Sequence, residues 1–417
     1  MMLKRLPLHL QIILAMLLGT LLGAILHNTM TEGPALENIT FSLNLVADVF
    51  LRLLSMLVVP LVFASIVVGV MSLGEAKHVG RLGKKTALYY FFTTTLAVIT
   101  GLILSNLMQP GVGANIVLEG GKLPHDVSSP DSLWSVLTRI VPKNPFNAIA
   151  NFDMVSVIFF AILFGLFANY LEAKHKKSIL DFFEAVNEIM MRMAAWVISL
   201  APIGIFCLVS KLLLTTGLEV FISLGKYVLT VAIALFIHFC ITLPLIIWFR
   251  VKKNPYRYFR AMSPALLTAF STASSAATLS LTMDCTQKGV GVSQRVSSFV
   301  LPMGATVNMD GTTLYECVAV MFIAQVYGLP LPFATQMTIV LTAILASVGA
   351  AAIPHAGLVM MVIILQAVGL PLEATGMIWA VDRVLDMART ATNVWSDAVG
   401  AGVIAASEGE DLLSDSI

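Results

Sequence analysis

The sequence predicts an all-α integral membrane protein, a multi-spanning helical bundle whose second half is broken into re-entrant pieces. Of 417 residues, 58% are hydrophobic and only 12% are charged, against roughly 25% charged in a soluble domain. The mean hydropathy is +0.89, and several apolar runs are long enough to cross a hydrocarbon layer of about 30 Å. Polar and small residues then interrupt the later runs where a lipid-facing helix could not carry them. A formal charge of +1 without a broad basic face argues against nucleic acid as a partner. Cys207, Cys240, Cys285 and Cys317 have neither metal-ligand nor disulfide-framework spacing and read as small buried residues.

Lys4 and Arg5 precede an apolar run over 8–27 that could pass for a signal peptide. The run is of spanning length and lacks a small-residue cleavage pattern, so an uncleaved first helix is expected. Further spans are expected over 43–73, 87–108, 154–171, 187–214 and 224–249. Positive charge sorts between them: Lys77, Arg81, Lys84 and Lys85 follow the second span, Lys174, Lys176 and Lys177 the fourth, and Arg250, Lys252, Lys253, Arg257 and Arg260 the sixth. If each segment crosses once, these groups share one side with the N-terminus, and the positive-inside rule makes that side cytoplasmic. The bilayer expected is the inner (cytoplasmic) membrane, with both termini inside and the 109–131 connection outside.

Beyond residue 260 the pattern changes. From Ala261 to Met283 the chain is apolar at both ends, but its middle, Ser271 to Thr278, is small and hydroxylated. Such a stretch can turn back at membrane depth, because hydroxyls satisfy the peptide groups freed at a re-entrant tip. The segment from Thr335 to Leu370 repeats the design, with Ser347-Val348-Gly349-Ala350-Ala351-Ala352-Ile353-Pro354 near its centre. Between them Asn308-Met309-Asp310-Gly311-Thr312-Thr313 interrupts an apolar run from Phe299 to Tyr327. Two hairpins beside broken helices match the inverted-repeat logic of secondary transporters. The competing reading is small-residue packing faces on ordinary helices.

The last span, over 376–405, separates these readings. Asp382, Asp386, Arg389, Asn393 and Asp397 recur at intervals of three or four and share one helix face. A stripe of that polarity must face a polar interior. Arg389 can pair with one or two of the carboxylates, and Asp310 adds another, so the pocket needs cations from outside. Carboxylate, amide and bare carbonyl oxygens are the ligands that hard cations prefer. Asn308, Asp310, Asn393 and Asp397 supply such side chains, and Tyr90, Thr93 and Thr94 can add hydroxyls. Arg389 offers a forked donor to a carboxylate, and Asp386 a partner for an ammonium group. A ligand carrying both groups would fit that pair.

Asn308-Met309-Asp310-Gly311-Thr312 with Leu314-Tyr315-Glu316, the stretch Ile353 to Val359, the stripe Asp382 to Asp397 and the Tyr89–Thr95 stretch resemble the signature regions of the dicarboxylate/amino acid:cation symporters, the glutamate transporter family. The resemblance covers essentially the whole chain. It implies eight membrane helices and two re-entrant hairpins in inverted repeats, assembled as a homotrimer that works by an elevator mechanism with hairpin 2 as gate. Scaffold helices would occupy 1–73 and 131–219, the transport domain 84–110 and 224–408, and an acidic cytoplasmic tail 409–417. The implied activity is cation-coupled symport of acidic amino acids, aspartate or glutamate, and not an enzymatic reaction. By the same resemblance Asp386 would bind the amine and Arg389 the side-chain carboxylate. Asn393, Thr312 and the backbone around Ser275 would hold the main-chain carboxylate, backbone from Ile353 to Gly357 would close over it, and Ser274 and Thr390 would also line the substrate site. Sodium sites would use Tyr90, Thr93, Thr94, Gly304, Thr306, Asn308, Asp310, Asn393 and Asp397, with hairpin-2 carbonyls near Ser347, Val348 and Ala350.

The sequence departs from the family in places. Ala276 replaces a tip serine, and Ala273 and Met387 stand where many amino-acid carriers have a further arginine; the missing arginines keep proton coupling open. Trp395-Ser396 stands where smaller residues, commonly including glycine, precede the last aspartate. A C4-dicarboxylate carrier is the nearest alternative, and Asp386 argues against it by repelling a ligand that lacks an amine. An intramembrane aspartyl protease needs paired carboxylates sharing a proton, whereas Asp386 and Asp397 are three turns apart. The tail from Glu408 to Ser416 reads as a solvated end, and His238 and His355 as packing or surface residues rather than proton relays.

Overall fold

The computed structural model describes residues 8–29, 33–73, 80–114, 141–151, 154–216, 220–329, 331–349, 356–372 and 375–413, and every regular element among them is helical. In chain order these are α1 (Leu8–Thr29), α2 (Pro34–Leu73), α3 (Gly80–Met108), α4 (Pro145–Ala150), α5 (Met154–Ala168), α6 (Ala173–Ser199), α7 (Ala201–Thr216) and α8 (Val220–Ile237). The second half contains α9 (Pro255–Thr272), α10 (Ser275–Asp284), α11 (Gln294–Val307), α12 (Asp310–Val326), α13 (Phe333–Gly349), α14 (Ala356–Ala367) and α15 (Thr375–Ser407). Four stretches, Leu10–Thr29, Pro34–Met71, Arg81–Met108 and Ile222–Val251, are long and apolar enough to cross a membrane.

Local sequence accounts for several boundaries. Asn254 caps α9 by accepting from Tyr256 N, with Pro255 at the first helical position. Ser274 caps α10 from its side chain to Ala277 N, and Ser293 caps α11 to Val296 N. Ala273 between α9 and α10 is left-handed (φ 51°), and α9 and α10 pack against each other, so the turn expected within 271–278 falls at Ala273-Ser274. α13 and α14 likewise pack together, while the tip expected over 350–355 lies outside the described residues. Asn308 and Met309 are extended or irregular (ψ 93° and 56°) between α11 and α12. The unwound stretch is therefore two residues long, and Asp310 to Thr313 already form the first turn of α12.

Several expectations are corrected. The span expected over 187–214 is two helices, α6 and α7, bent by 51° at Leu200, with Pro202 in the first turn of the second. The segment expected over 154–171 has 15 helical residues, short of the roughly 20 that a bilayer needs. The 224–249 span is helical but widens into π turns at His238–Thr242 and Ile247–Val251. Cys240 is exposed, unlike the other three cysteines. The acidic end is tied down over its described residues, 408–413: Glu408, whose side chain is 6% exposed, receives Arg81, Lys85 and Arg295. Glu410 accepts from Ser293 and Asp411 pairs with Lys253, while Leu412 is buried.

Two packing groups emerge. α1 packs on α7, and α2 on α5, α6 and α7. The approach of α1 to α7 is close enough that a Cβ on Gly23 would lie 2.6 Å from Ser210 O. In the second group α15 packs on α9, α11 and α12, and α3 packs on α12 and α13. The polar stripe of α15 is buried in that second group, over the break between α11 and α12.

Candidate functional site

α15 presents its stripe as a single helix face, so each polar residue sits about one turn from the next. Arg389 is 1% exposed and forks between two carboxylates, Nη1 to Asp382 Oδ1 at 3.0 Å and Nη2 to Asp386 Oδ1 at 2.7 Å. Its Cζ lies 3.9 Å from the centroid of the Tyr315 ring, and the Tyr315 hydroxyl donates to Asp382 Oδ1 at 2.9 Å. Gly357 closes the other side: a Cβ there would come within 2.8 Å of Nη1. Charge-assisted bonds and the ring face fix the plane of the guanidinium, while its Nε has no hydrogen-bond partner.

One turn on, Asn393 stitches α15 to the start of α12. Its Oδ1 accepts from Gly311 N at 2.8 Å and Thr312 N at 3.4 Å, and its Nδ2 donates to Thr312 Oγ1 at 3.1 Å. α12 comes this close because position 311 is glycine: a Cβ there would lie 2.6 Å from Arg389 O.

The next turn carries the second acidic centre. Asn308 Nδ2 donates to Asp397 Oδ1 at 2.9 Å and to Ser396 Oγ at 3.0 Å. Ser396 Oγ donates to Asp310 Oδ2 at 2.6 Å, and Thr94 Oγ1 to Asp310 Oδ1 at 2.7 Å. His238 Nε2 stands 3.2 Å from Asp310 Oδ2, while its Nδ1 has no partner. Asn308, Asp310, Ser396 and His238 are fully buried and Asp397 is 3% exposed. A Cβ on Gly304 would collide with Asp397 Oδ1 and lie 2.7 Å from Tyr90 Oη, so this glycine leaves room between carboxylate and phenol. Two buried carboxylates joined through neutral amides and hydroxyls form a hard-oxygen donor set.

The expected residues divide accordingly. Tyr90, Thr93, Thr94, Gly304, Asn308, Asp310, Asn393 and Asp397 come together; Thr93 Oγ1 reaches Asn308 Oδ1 at 3.5 Å, while Tyr90 Oη bonds to Val300 O at 2.7 Å. Asp386, Arg389, Asn393, Thr312 and Gly357 line the neighbouring turns, and Thr390 is buried beside Arg389. Ser274 turns its hydroxyl to its own helix, at Ala277 N, and Ser275 is half-buried. Thr306 is exposed and bonds to Met303 O, and Ser347 bonds to Ile344 O, so neither hydroxyl turns to the acidic centre. Ala350, Ile353 and His355 lie outside the described residues, as does the side chain of Val348. His238 is not a mere packing residue, because it faces Asp310.

Tyr315, the Asp382–Arg389 pairing, Ser396 and Glu316 were missed as site residues. Glu316 is 1% exposed and neither of its carboxylate oxygens has a hydrogen-bond partner. A carboxylate inside an apolar run was the available signal for it.

The chain matches the sodium:dicarboxylate symporter family over residues 8–407. It is 36% identical to human excitatory amino acid transporter 2 across 93% of this chain and 77% of that protein. It is 34% identical to the proton/sodium-glutamate symport protein of Geobacillus stearothermophilus across 98% of this chain and 96% of that one, and 36% identical to an excitatory amino acid transporter of Caenorhabditis elegans across 94% and 85%. With a buried stripe of opposed charges over a broken helix and a match spanning nearly its full length, the chain belongs to the sodium:dicarboxylate symporter family, a family of membrane transporters rather than enzymes.

Proposed function

We propose that the chain carries acidic amino acids across the cytoplasmic membrane in symport with sodium. The observation that supports this best is the division of one helix face into two unlike centres. At Asp382, Asp386 and Arg389 the protein supplies its own cation, and the guanidinium fork and Asp386 Oδ2, which among the described residues meets only Arg383 at 3.9 Å, can receive a substrate with carboxylate and ammonium groups. At Asp310 and Asp397 it supplies carboxylates linked by neutral groups, and a cation brought in with the substrate compensates them. Asn393 and Thr312 lie between the centres, so a main-chain carboxylate held there, with backbone around Ser275 and Ile353 to Gly357 closing over it, feels both.

The packing groups support a scaffold over 1–73 and 131–219 and a transport unit over 84–110 and 224–408, with 409–417 as its cytoplasmic end. α3 joins the second group although it lies in the first half of the chain. In this reading eight membrane helices and two hairpins form each protomer of a homotrimer, the transport unit moves as an elevator, and both termini are cytoplasmic.

Glu316 favours a second reading of the coupling ion. Charged, a buried carboxylate without donors costs several kcal/mol, on the order set by desolvation, so it is the group through which a proton would enter the cycle. Proteoliposome uptake of radiolabelled aspartate and succinate, with sodium and pH gradients imposed separately, tests both. Sodium-driven aspartate uptake that succinate does not match supports the first reading. Uptake driven by the pH gradient alone replaces sodium with the proton.

A further inference from the structure

We infer that Ser396 is a positioning residue that makes Asp310 and Asp397 one cation-responsive unit, so that an ion arriving at either carboxylate is felt at the other. The inference rests on the sodium reading above and extends it to a residue that the sequence left without a role.

A hydroxyl has one proton and two lone pairs. Asn308 Nδ2 and Asp310 Oδ2 both touch Ser396 Oγ, at 3.0 and 2.6 Å. The amide can only donate and an ionised carboxylate can only accept, so the hydroxyl proton points to Asp310 and a lone pair to Asn308. The same Asn308 nitrogen spends its other hydrogen on Asp397 at 2.9 Å. Donation therefore runs outward from Asn308, directly to Asp397 and through the Ser396 hydroxyl to Asp310, and the four groups form one hydrogen-bonded network. Deleting the hydroxyl cuts the network between Asn308 and Asp310, removing a donor from Asp310 and an acceptor from Asn308.

The surroundings hold the hydroxyl in place. The Tyr89 hydroxyl donates to Ser396 O at 3.2 Å. On the other side Trp395 answers a defect in the neighbouring helix. In the π turn at His238–Thr242, Leu243 N is used by His238 O, and Pro244 has no N–H to offer Phe239 O. Trp395 Nε1 donates to that carbonyl at 3.1 Å, and its ring packs edge-on to Tyr258 and Phe259. The same turn brings His238 to Asp310. The pair Trp395-Ser396 therefore works as a unit, with the indole anchoring the wide turn and the hydroxyl joining the carboxylates.

The test is the melting temperature of the purified protein, without substrate, as sodium replaces choline at constant ionic strength. The wild type should show a steep rise with sodium. Ser396→Ala should need about tenfold more sodium for the same rise, the order of effect expected when a hydrogen bond to a charged group is lost, and the rise should be shallower. Ser396→Thr, which restores a hydroxyl, should recover the midpoint. Should the alanine variant not yield folded protein, Ser396→Gly carries the test, since it removes the hydroxyl and demands no extra space. A purely structural serine would lower the melting temperature equally in choline and sodium and leave the midpoint in place, and that result overturns the inference. So does a threonine variant that behaves like alanine. A wild type indifferent to sodium is a different failure: it removes the sodium reading and the inference with it.

Discussion

The two ends of the α15 stripe use the same residue types to opposite effect. At Arg389 one guanidinium is shared by two carboxylates, with bonds of 3.0 and 2.7 Å, and Tyr315 covers its face. At Asp397, two turns later, the carboxylate meets an amide, and Asp310 meets hydroxyls and an imidazole. The first centre carries its compensating charge permanently, whereas the second meets no Lys or Arg among the described residues and, in the proposed function, borrows its charge from the coupled ion. Charge placed by the protein selects a ligand, while charge left uncompensated couples that ligand to an ion. Substitutions along the stripe should therefore separate recognition from coupling.

The largest effect is expected at Arg389. Arg389→Cys removes the guanidinium that Asp382 and Asp386 share and leaves Asp386 only the longer contact to Arg383 at 3.9 Å, a loss of about 3–5 kcal/mol for a broken buried pair. Aspartate and glutamate uptake should disappear, and small neutral amino acids should be admitted. Aspartate binding of wild-type strength in this variant would mean that Arg389 only holds the bundle together.

Asp397→Asn comes next and strikes the other end. It removes one of the carboxylates that need an outside cation, so substrate affinity, measured in detergent at fixed pH, should no longer climb as sodium replaces choline. A sodium dependence that survives would shift the coupling to another centre.

Asp386→Asn should have a smaller and more selective effect. One Asp386 oxygen is already spent on Arg389, so the amine contact is one of two tasks. Its loss should weaken aspartate by about 2 kcal/mol, the low end for truncating a buried charged pair, and succinate much less. Equal weakening of both ligands would show that Asp386 serves Arg389 alone.

Much of this arrangement could be read from residue spacing, because the relevant signals are local. The α15 stripe follows from helical periodicity, the break at Asn308-Met309 from polar residues in an apolar run, and the turn at Ala273-Ser274 from small hydroxylated residues. What escaped depends on partners distant in sequence. Tyr315 is tied to Asp382, 67 residues away. His238 read as packing because its meeting with Asp310 depends on a π turn, for which Pro244 was the only trace. The bend at Leu200 was also signalled, by Pro202, but hydropathy across it is continuous. The acidic tail read as solvated because composition does not show which cations fold back over it.

That tail offers the smallest effect and a control on the comparison, since it is a carboxylate centre compensated entirely by the protein and lying beyond α15. Glu408 is lowered from its ordinary 4.5 to about 2, first by the hydrogen bond from Arg81 and then by that from Lys85. Because the folded value is depressed, the contribution to stability is present in full above the unfolded value and is lost as pH falls from about 4.5 through about 2. Glu408→Gln should therefore lower the melting temperature slightly and by a constant amount between about pH 6 and 8, a range above both values. Arg81 and Arg295 are largely exposed, with side chains 75% and 73% accessible, so salt should shrink the difference. Sodium and potassium should act alike on it, unlike at Asp397. A Glu408→Gln difference that depends on which cation is present would mean that the tail belongs to the coupling machinery and does not merely anchor the end of α15.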